Sequence, residues 1–250
     1  MYREYGIKDE IIEKVESCER ELAPSFSLLE KIYEHNQLKV LKSFVDNKLS
    51  ESHFQEATGY GYNDQGRDVI DDIYKDIFHT ESAFVRASFA SGTHTLSTAL
   101  FALTKRGDKI LSINGYPYDT LHKILGIHGE KGSLKDTGVD FDKIDLVDGG
   151  FDKEKIHYIL EHDINIKLIM IQRSRGYEMR HSFSVSEIKD IVEYIRLIKK
   201  DVIIFVDNCY GEFTNMDEPS DVGADIVIGS LIKNIGGGIA RSGGYVCGKK

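Results

Sequence analysis

From Ala83 onward, short runs rich in isoleucine and valine alternate with amphipathic stretches of helical length, and this pattern constrains the fold more than any other feature. The apolar runs lie at residues 109–113, 167–171, 202–206, 225–228 and 244–247. Helices are predicted between them at residues 93–104, 118–128, 152–162 and 184–200. The last opens with Ser184 followed by Glu187, the spacing of a capping box in which each side chain satisfies an orphan helix donor. Buried strands alternating with helices of this length predict a mainly parallel sheet in a three-layer α/β domain. Ligands of such sheets bind outside the carboxyl ends of the strands.

Ahead of this pattern, Ile11, Ile12, Val15 and later Leu28, Leu29, Ile32 and Tyr33 recur at helical spacing within residues 7–48. Pro24 is predicted to separate two helices there. Residues 57–67, ATGYGYNDQGR, form a glycine-rich loop, and Val69, Ile70, Ile73 and Ile77 predict a helix after it. The expected organisation is an N-terminal helical arm, residues 1–56, and a large domain, residues 57–250.

Composition narrows the function classes. The chain has 250 residues, 41% hydrophobic and 29% charged, which is ordinary for a folded protein. Its formal charge of −9 argues against a non-specific nucleic-acid or anionic-membrane binder. No apolar run approaches the ~20 residues that span a bilayer, and the N-terminus MYREYGIKDEIIEK has no secretory apolar core. Cys18, Cys209 and Cys247 are far apart and form no CxxC, so neither a zinc site nor a disulfide framework is expected. The nine histidines include no HxxxH pair on a helix, and metal catalysis is not expected. A cytoplasmic location is the expectation.

Three stretches fall at strand or helix ends. Ser91-Gly92-Thr93-His94-Thr95 leads into a helix, where small residues expose backbone N–H groups suited to phosphate; Ser91 or Thr93 could equally be a plain helix cap. Asp207 closes the apolar run DVIIFVD, so a half-buried carboxylate there needs either a positive partner or loop amides. Lys233 follows a buried strand within GSLIKN, where desolvation would make its amine nucleophilic, unless it reaches out to solvent. Together a phosphate seat, a strand-end acid and a later lysine are the parts that hold pyridoxal 5′-phosphate (PLP). An aromatic ring to stack on the pyridine is offered by Tyr116 or Tyr118 in NGYPYD.

The order SGTHT, VDNCYGEF and GSLIKN resembles fold-type I PLP enzymes of the cysteine/methionine-metabolism group. With ATGYGYNDQGRD it is similar to the methionine γ-lyase-like family known as aluminium resistance proteins. The resemblance implies the PLP-transferase-like αβα fold and Lys233 as the Schiff-base lysine. Asp207 becomes the partner of the ring nitrogen; Ser91, Gly92, Thr93 and Ser230 stand at the phosphate. It implies Tyr116 as the stacking ring, with Tyr118 second. A Tyr and an Arg from a neighbouring subunit reach the phosphate in the wider group. Tyr60 or Tyr62 with Arg67 are the candidates here, which implies a homodimer or homotetramer with an intersubunit site.

The activity implied is a carbon–sulfur lyase acting on a sulfur amino acid by β- or γ-elimination. An aminotransferase or aldolase of the same fold, or a catalytically impaired binding protein, are the alternatives. Ile232 stands where better-known γ-lyases have threonine, and Gln172 to Tyr177 replace an Asn-Pro segment, which places Arg175 near the substrate. The sequence stops at Lys250, directly after GGYVCG, so the smaller C-terminal domain of these enzymes is expected to be absent. Two other motifs fail: Gly243 to Lys249 lacks the Ser or Thr of a P-loop, and Gly236-x-Gly238 lacks the third glycine of a dinucleotide fingerprint.

Overall fold

The apolar run at residues 202–206 divides its side chains between two cores. Ile204 and Val206 join one, and Phe205 joins the other. Alternation of this kind places a strand between two helical layers, because successive side chains point to opposite faces. The structure is a computed structural model and describes residues 1–58 and 60–250; Gly59, in the predicted glycine-rich loop, lies outside the described residues.

In chain order the elements are α1 (Asp9–Asp46), α2 (Gln65–Ile77), β1 (Ser82–Arg86), α3 (Gly92–Leu103), β2 (Lys109–Ser112), α4 (Asp119–Leu125) and β3 (Asp140–Lys143). Then follow α5 (Lys153–His162), β4 (Ile166–Gln172), α6 (Val185–Ile198), β5 (Ile203–Asp207), β6 (Ile226–Ser230) and β7 (Gly244–Gly248). Among the described residues the strands form one sheet of order β1-β7-β6-β5-β4-β2-β3. Neighbours are parallel except where β7 runs antiparallel to both β1 and β6. Helices α2, α5 and α6 cover the face that carries Ile169, Ile171, Ile204, Val206 and Val227. Helices α3 and α4 cover the face that carries Leu168, Met170, Phe205 and Ile228. The predicted three-layer, mainly parallel arrangement is what forms.

Two local expectations change. Pro24 does not separate two helices: α1 runs unbroken through it for 38 residues. A mid-helix proline removes one backbone hydrogen bond, and the Glu, Lys, Leu and Ala residues that flank it carry the helix across. Strand β1 offers only Ala83-Phe84-Val85, and strand β3 carries no apolar run. Strand β3, Asp-Phe-Asp-Lys, lies at a sheet edge with its alternate residues exposed, so its sequence shows no buried strand. The capping box of α6 forms as read: Ser184 Oγ accepts from Glu187 N–H at 3.2 Å, and Glu187 Oε2 accepts from Ser184 N–H at 2.8 Å.

Helix α1 meets the rest of the fold through its last turns. Asn36 Nδ2 donates to the carbonyls of Phe213 (3.2 Å) and Asn215 (2.9 Å), and Ser43 Oγ donates to that of Ile73. Its earlier apolar residues, among them Ile11, Val15, Phe26 and Leu29, are exposed. Among the described residues no helix is long and apolar enough to cross a membrane.

One glycine tests the packing of the central strands. A Cβ on Gly229 in β6 would overlap Glu212 Oε1 and the Tyr245 ring, both buried. Gly229→Ala is therefore expected to lower the unfolding free energy by about 1–3 kcal/mol, read from urea denaturation midpoints; an unchanged midpoint would contradict this packing.

Candidate active site

Strands β4, β5 and β6 end at Gln172, Asp207 and Ser230, and strand parity puts all three on the α3/α4 face, continuing Met170, Phe205 and Ile228. Gln172 pairs directly with Asp207 across the parallel ladder. Helix α3 begins over these ends. Ser91 caps it, its Oγ accepting from His94 N–H at 3.2 Å. The first helical residue is Gly92, and a Cβ there would stand 3.1 Å from Ser230 Cβ, 3.6 Å from Cys209 Sγ and 3.7 Å from Ser230 Oγ. The missing side chain lets the positive end of α3 approach the ends of β5 and β6, an arrangement suited to an anion.

Beside this junction lies a cleft of about 220 Å³, walled by Tyr118, Gln172, Ser174, Gly176, Tyr177, Asp207, Cys209, Tyr210 and Lys233, but not by Arg175. Asp207 is 2% exposed, and its Oδ1 accepts from Cys209 N–H at 3.1 Å. Burial pushes this carboxyl above the usual carboxylate range, while Lys233 pulls the other way. A cation placed against Asp207 would stabilise its ionised form. Burial also pushes the neighbouring Cys209 thiol up, so it is a poor nucleophile. Lys233, half-buried, follows β6 at the start of a short 3-10 turn, Asn234–Gly236, and its Nζ lies 4.1 Å from the centre of the Tyr210 ring.

Some sequence-derived candidates meet here and others do not. Asp207, Lys233 and Tyr118 share the cleft; Gly92 and Ser230 face each other beside it. Thr93 Oγ1 lies 3.0 Å from Tyr118 OH and 2.9 Å from Thr120 Oγ1. Tyr118 is held at its backbone too, where its N–H donates to Gln172 Oε1 at 2.8 Å. Burial and the nearby Asp207 push the Tyr118 phenol well above its usual range.

Tyr116 is directed away from the cleft. Its ring stacks on Phe141 at 6.2 Å and sits beneath Lys143, whereas Tyr118 lines the cleft. Tyr60 and Tyr62 are 83% and 81% exposed, and Arg67 pairs with Asp64 in the first turn of α2. None of the three walls the cleft. Arg175 is exposed and contributes its backbone N–H to Ser182 Oγ.

The arginine that matters structurally is Arg173, which motif reading passed over. It is 2% exposed and donates to Phe183 O (3.2 Å), Asn208 Oδ1 (2.7 Å), Gly211 O (2.8 Å), Thr214 Oγ1 (3.1 Å) and Asn215 Oδ1 (2.6 Å). Glu218 lies 3.5 Å away, fully buried, and accepts from Asn208 Nδ2 and Phe213 N–H. The available signal was position: Arg173 directly follows a strand whose residues are almost all buried.

A second buried acid, Glu212, accepts from Tyr245 OH at 3.0 Å, and its Oε2 has no partner among the described residues. Burial raises its pKa from an ordinary 4.5 to about 7. The folded form therefore holds this proton more tightly than the unfolded chain. That contribution to stability is full below about pH 4.5 and is lost as pH rises through about 7. Glu212→Gln removes the titration while keeping an acceptor for Tyr245. Its stability relative to the unsubstituted protein should improve by on the order of 1–3 kcal/mol between pH 4.5 and 8, measured by urea midpoints across pH; parallel profiles would contradict a buried neutral Glu212.

Comparison with known proteins shows the family and the fold. Residues 11–250 match the methionine gamma-lyase family. The uncharacterized protein YnbB of Bacillus subtilis (strain 168) is 46% identical over 234 residues, covering 92% of this chain and 55% of its own length. A solved Clostridium acetobutylicum protein, described as a candidate cystathionine beta-lyase involved in aluminium resistance, superposes with a TM-score of 0.95 at 50% identity. It covers 99% of this chain and 60% of its own. A solved carbon–sulfur lyase involved in aluminium resistance from Clostridium novyi NT gives 0.94 at 46% identity, with 99% and 59% coverage. This chain thus spans somewhat over half the length of these relatives. By the match over nearly all its residues, the chain belongs to the methionine gamma-lyase family.

Proposed function

We propose that the protein is a PLP-dependent carbon–sulfur lyase that releases a thiol from a sulfur-containing amino acid. The observation that carries this reading is Asp207: a buried carboxylate at a strand end, facing a cleft that also holds Lys233. Burial holds the Asp207 carboxyl above the usual carboxylate range despite its bond from Cys209 N–H, and a protonated ring nitrogen is a cation that would restore the ionised form. The glycine-only approach of α3 to Ser230 supplies the second half of the fit, since its backbone N–H groups suit a phosphate. When bound, the cofactor supplies an electron sink for the pair left at the substrate α-carbon.

The chain's residues then divide the work. Asp207 holds the ring nitrogen in its charged form. Gly92, Thr93 and Ser230 hold the phosphate, and Ser91 keeps α3 aimed by capping it. Tyr118 takes the stacking position, since its ring walls the cleft and Tyr116 does not. Lys233 Nζ carries the cofactor between turnovers. With substrate bound, its free amine would take the proton from the α-carbon and return it later as a general acid. Tyr60 or Tyr62, with Arg67, would reach the phosphate from a second copy of the chain. The relatives solved as a carbon–sulfur lyase and as a candidate cystathionine beta-lyase support this reaction class.

The reading is tested by absorbance and product. The protein mixed with PLP should turn yellow, and Lys233→Ala should lose that band and lower turnover by about 10²–10⁴-fold. Assays with cystathionine, methionine and cysteine should consume one water and release a 2-oxo acid and ammonia together with hydrogen sulfide, a thiol or a thiol-bearing amino acid. Oxo acid formed only by exchange with a second amino acid would overturn the lyase in favour of an aminotransferase. An unchanged band in Lys233→Ala would overturn the site.

A further inference from the structure

Tyr210 has a left-handed backbone, φ 69°, a conformation that non-glycine residues rarely adopt. Asparagine or glycine would adopt it at lower cost, so an aromatic residue there needs a compensating reason. Two groups hold the strained loop in place. From above, Asn234 Nδ2 donates to Tyr210 O at 2.9 Å and to Glu212 O at 3.2 Å. From below, the buried Arg173 guanidinium donates to Gly211 O at 2.8 Å. Asn234 is the residue directly after Lys233, so the clamp joins the Tyr210 loop to the turn that carries the lysine. The result is a ring on the cleft wall with Lys233 Nζ 4.1 Å from its centre. Strain persists where the surroundings over-determine it, and such places cluster at functional sites.

We infer that the Tyr210 ring is the seat of the Lys233 amine, a positioning surface that holds Nζ in the cleft whenever the lysine is not joined to cofactor. The face of an aromatic ring attracts an ammonium through its quadrupole. A four-carbon lysine stem is otherwise free to sample solvent, and each excursion would slow the reattachment that closes a catalytic cycle. The seat requires a ring and not a phenol hydroxyl. Tyr210 is thus a positioning residue that acts through Lys233, and the inference rests on the reading of Lys233 as the cofactor-holding lysine. Attachment itself joins Nζ to the cofactor aldehyde carbon with loss of one water.

Two readouts test the seat. In protein labelled with ¹³C at lysine Cε and free of cofactor, one lysine methylene should be shifted upfield by the ring, and Lys233→Ala should remove that signal. The shift should survive in Tyr210→Phe and vanish in Tyr210→Leu. Attachment of added PLP, followed by absorbance, should be roughly 2- to 30-fold slower in Tyr210→Leu and near the original rate in Tyr210→Phe. An unshifted Lys233 methylene overturns the seat, as does an attachment rate unchanged in Tyr210→Leu. A loss in Tyr210→Phe equal to that in Tyr210→Leu also overturns it, by assigning the effect to the hydroxyl. Failure of the unsubstituted protein to attach PLP at Lys233 is a different result: it overturns the reading of Lys233 and, with it, the seat.

Discussion

A guanidinium and a carboxylate sealed from water hold the working end of the sheet together. Arg173 leaves the end of β4 and Glu218 comes from the loop after β5, and they meet at 3.5 Å with neither accessible to solvent. Burying such charges is costly unless every lone pair and proton finds a partner. Here Arg173 reaches five further acceptors, and Glu218 receives Asn208 and Phe213. That requirement leaves the segment from Asn208 to Asn215 one way to run. Asp207 enters the segment and Tyr210 rides on it, so the orientation of both follows from the buried pair.

The remaining geometry comes from strand parity. Residues two apart share a face, so the run that puts Phe205 in one core must put Asp207 on that side. The same counting carries Ile228 to Ser230 and Met170 to Gln172. Helix α3 lies on that face, and Gly92 lets it close over the strand ends. An anion seat, a buried acid and an amine therefore converge without long-range adjustment. Such convergence is what a phosphate-bearing, ring-nitrogen cofactor demands of its protein.

This logic also explains what could be read from residues alone. The central strands, helices α2 to α6 and the meeting of Asp207 and Lys233 in one cleft were legible because each depends on local composition: apolar runs, caps and polar residues at the ends of buried strands. Strand β3 was not, since an edge strand buries too little to need an apolar run. Pro24 misled because proline's local cost is real, yet the neighbouring helix formers outweigh it. The choice between Tyr116 and Tyr118 turned on a tertiary bond, Tyr118 N–H to Gln172 Oε1, between residues far apart in sequence. Arg175 drew notice over Arg173 because a motif reading looks for exposed reactive groups. The structure instead buries Arg173 as scaffolding.

In the proposed site one lysine of this chain, Lys233, which shares the cleft with Asp207, holds the cofactor. Reduction of the PLP-loaded protein with borohydride, followed by peptide mapping, tests it most directly. The account predicts a single phosphopyridoxyl-modified residue, Lys233, at close to one per chain. Label spread over surface lysines, or concentrated on any other lysine, would contradict it.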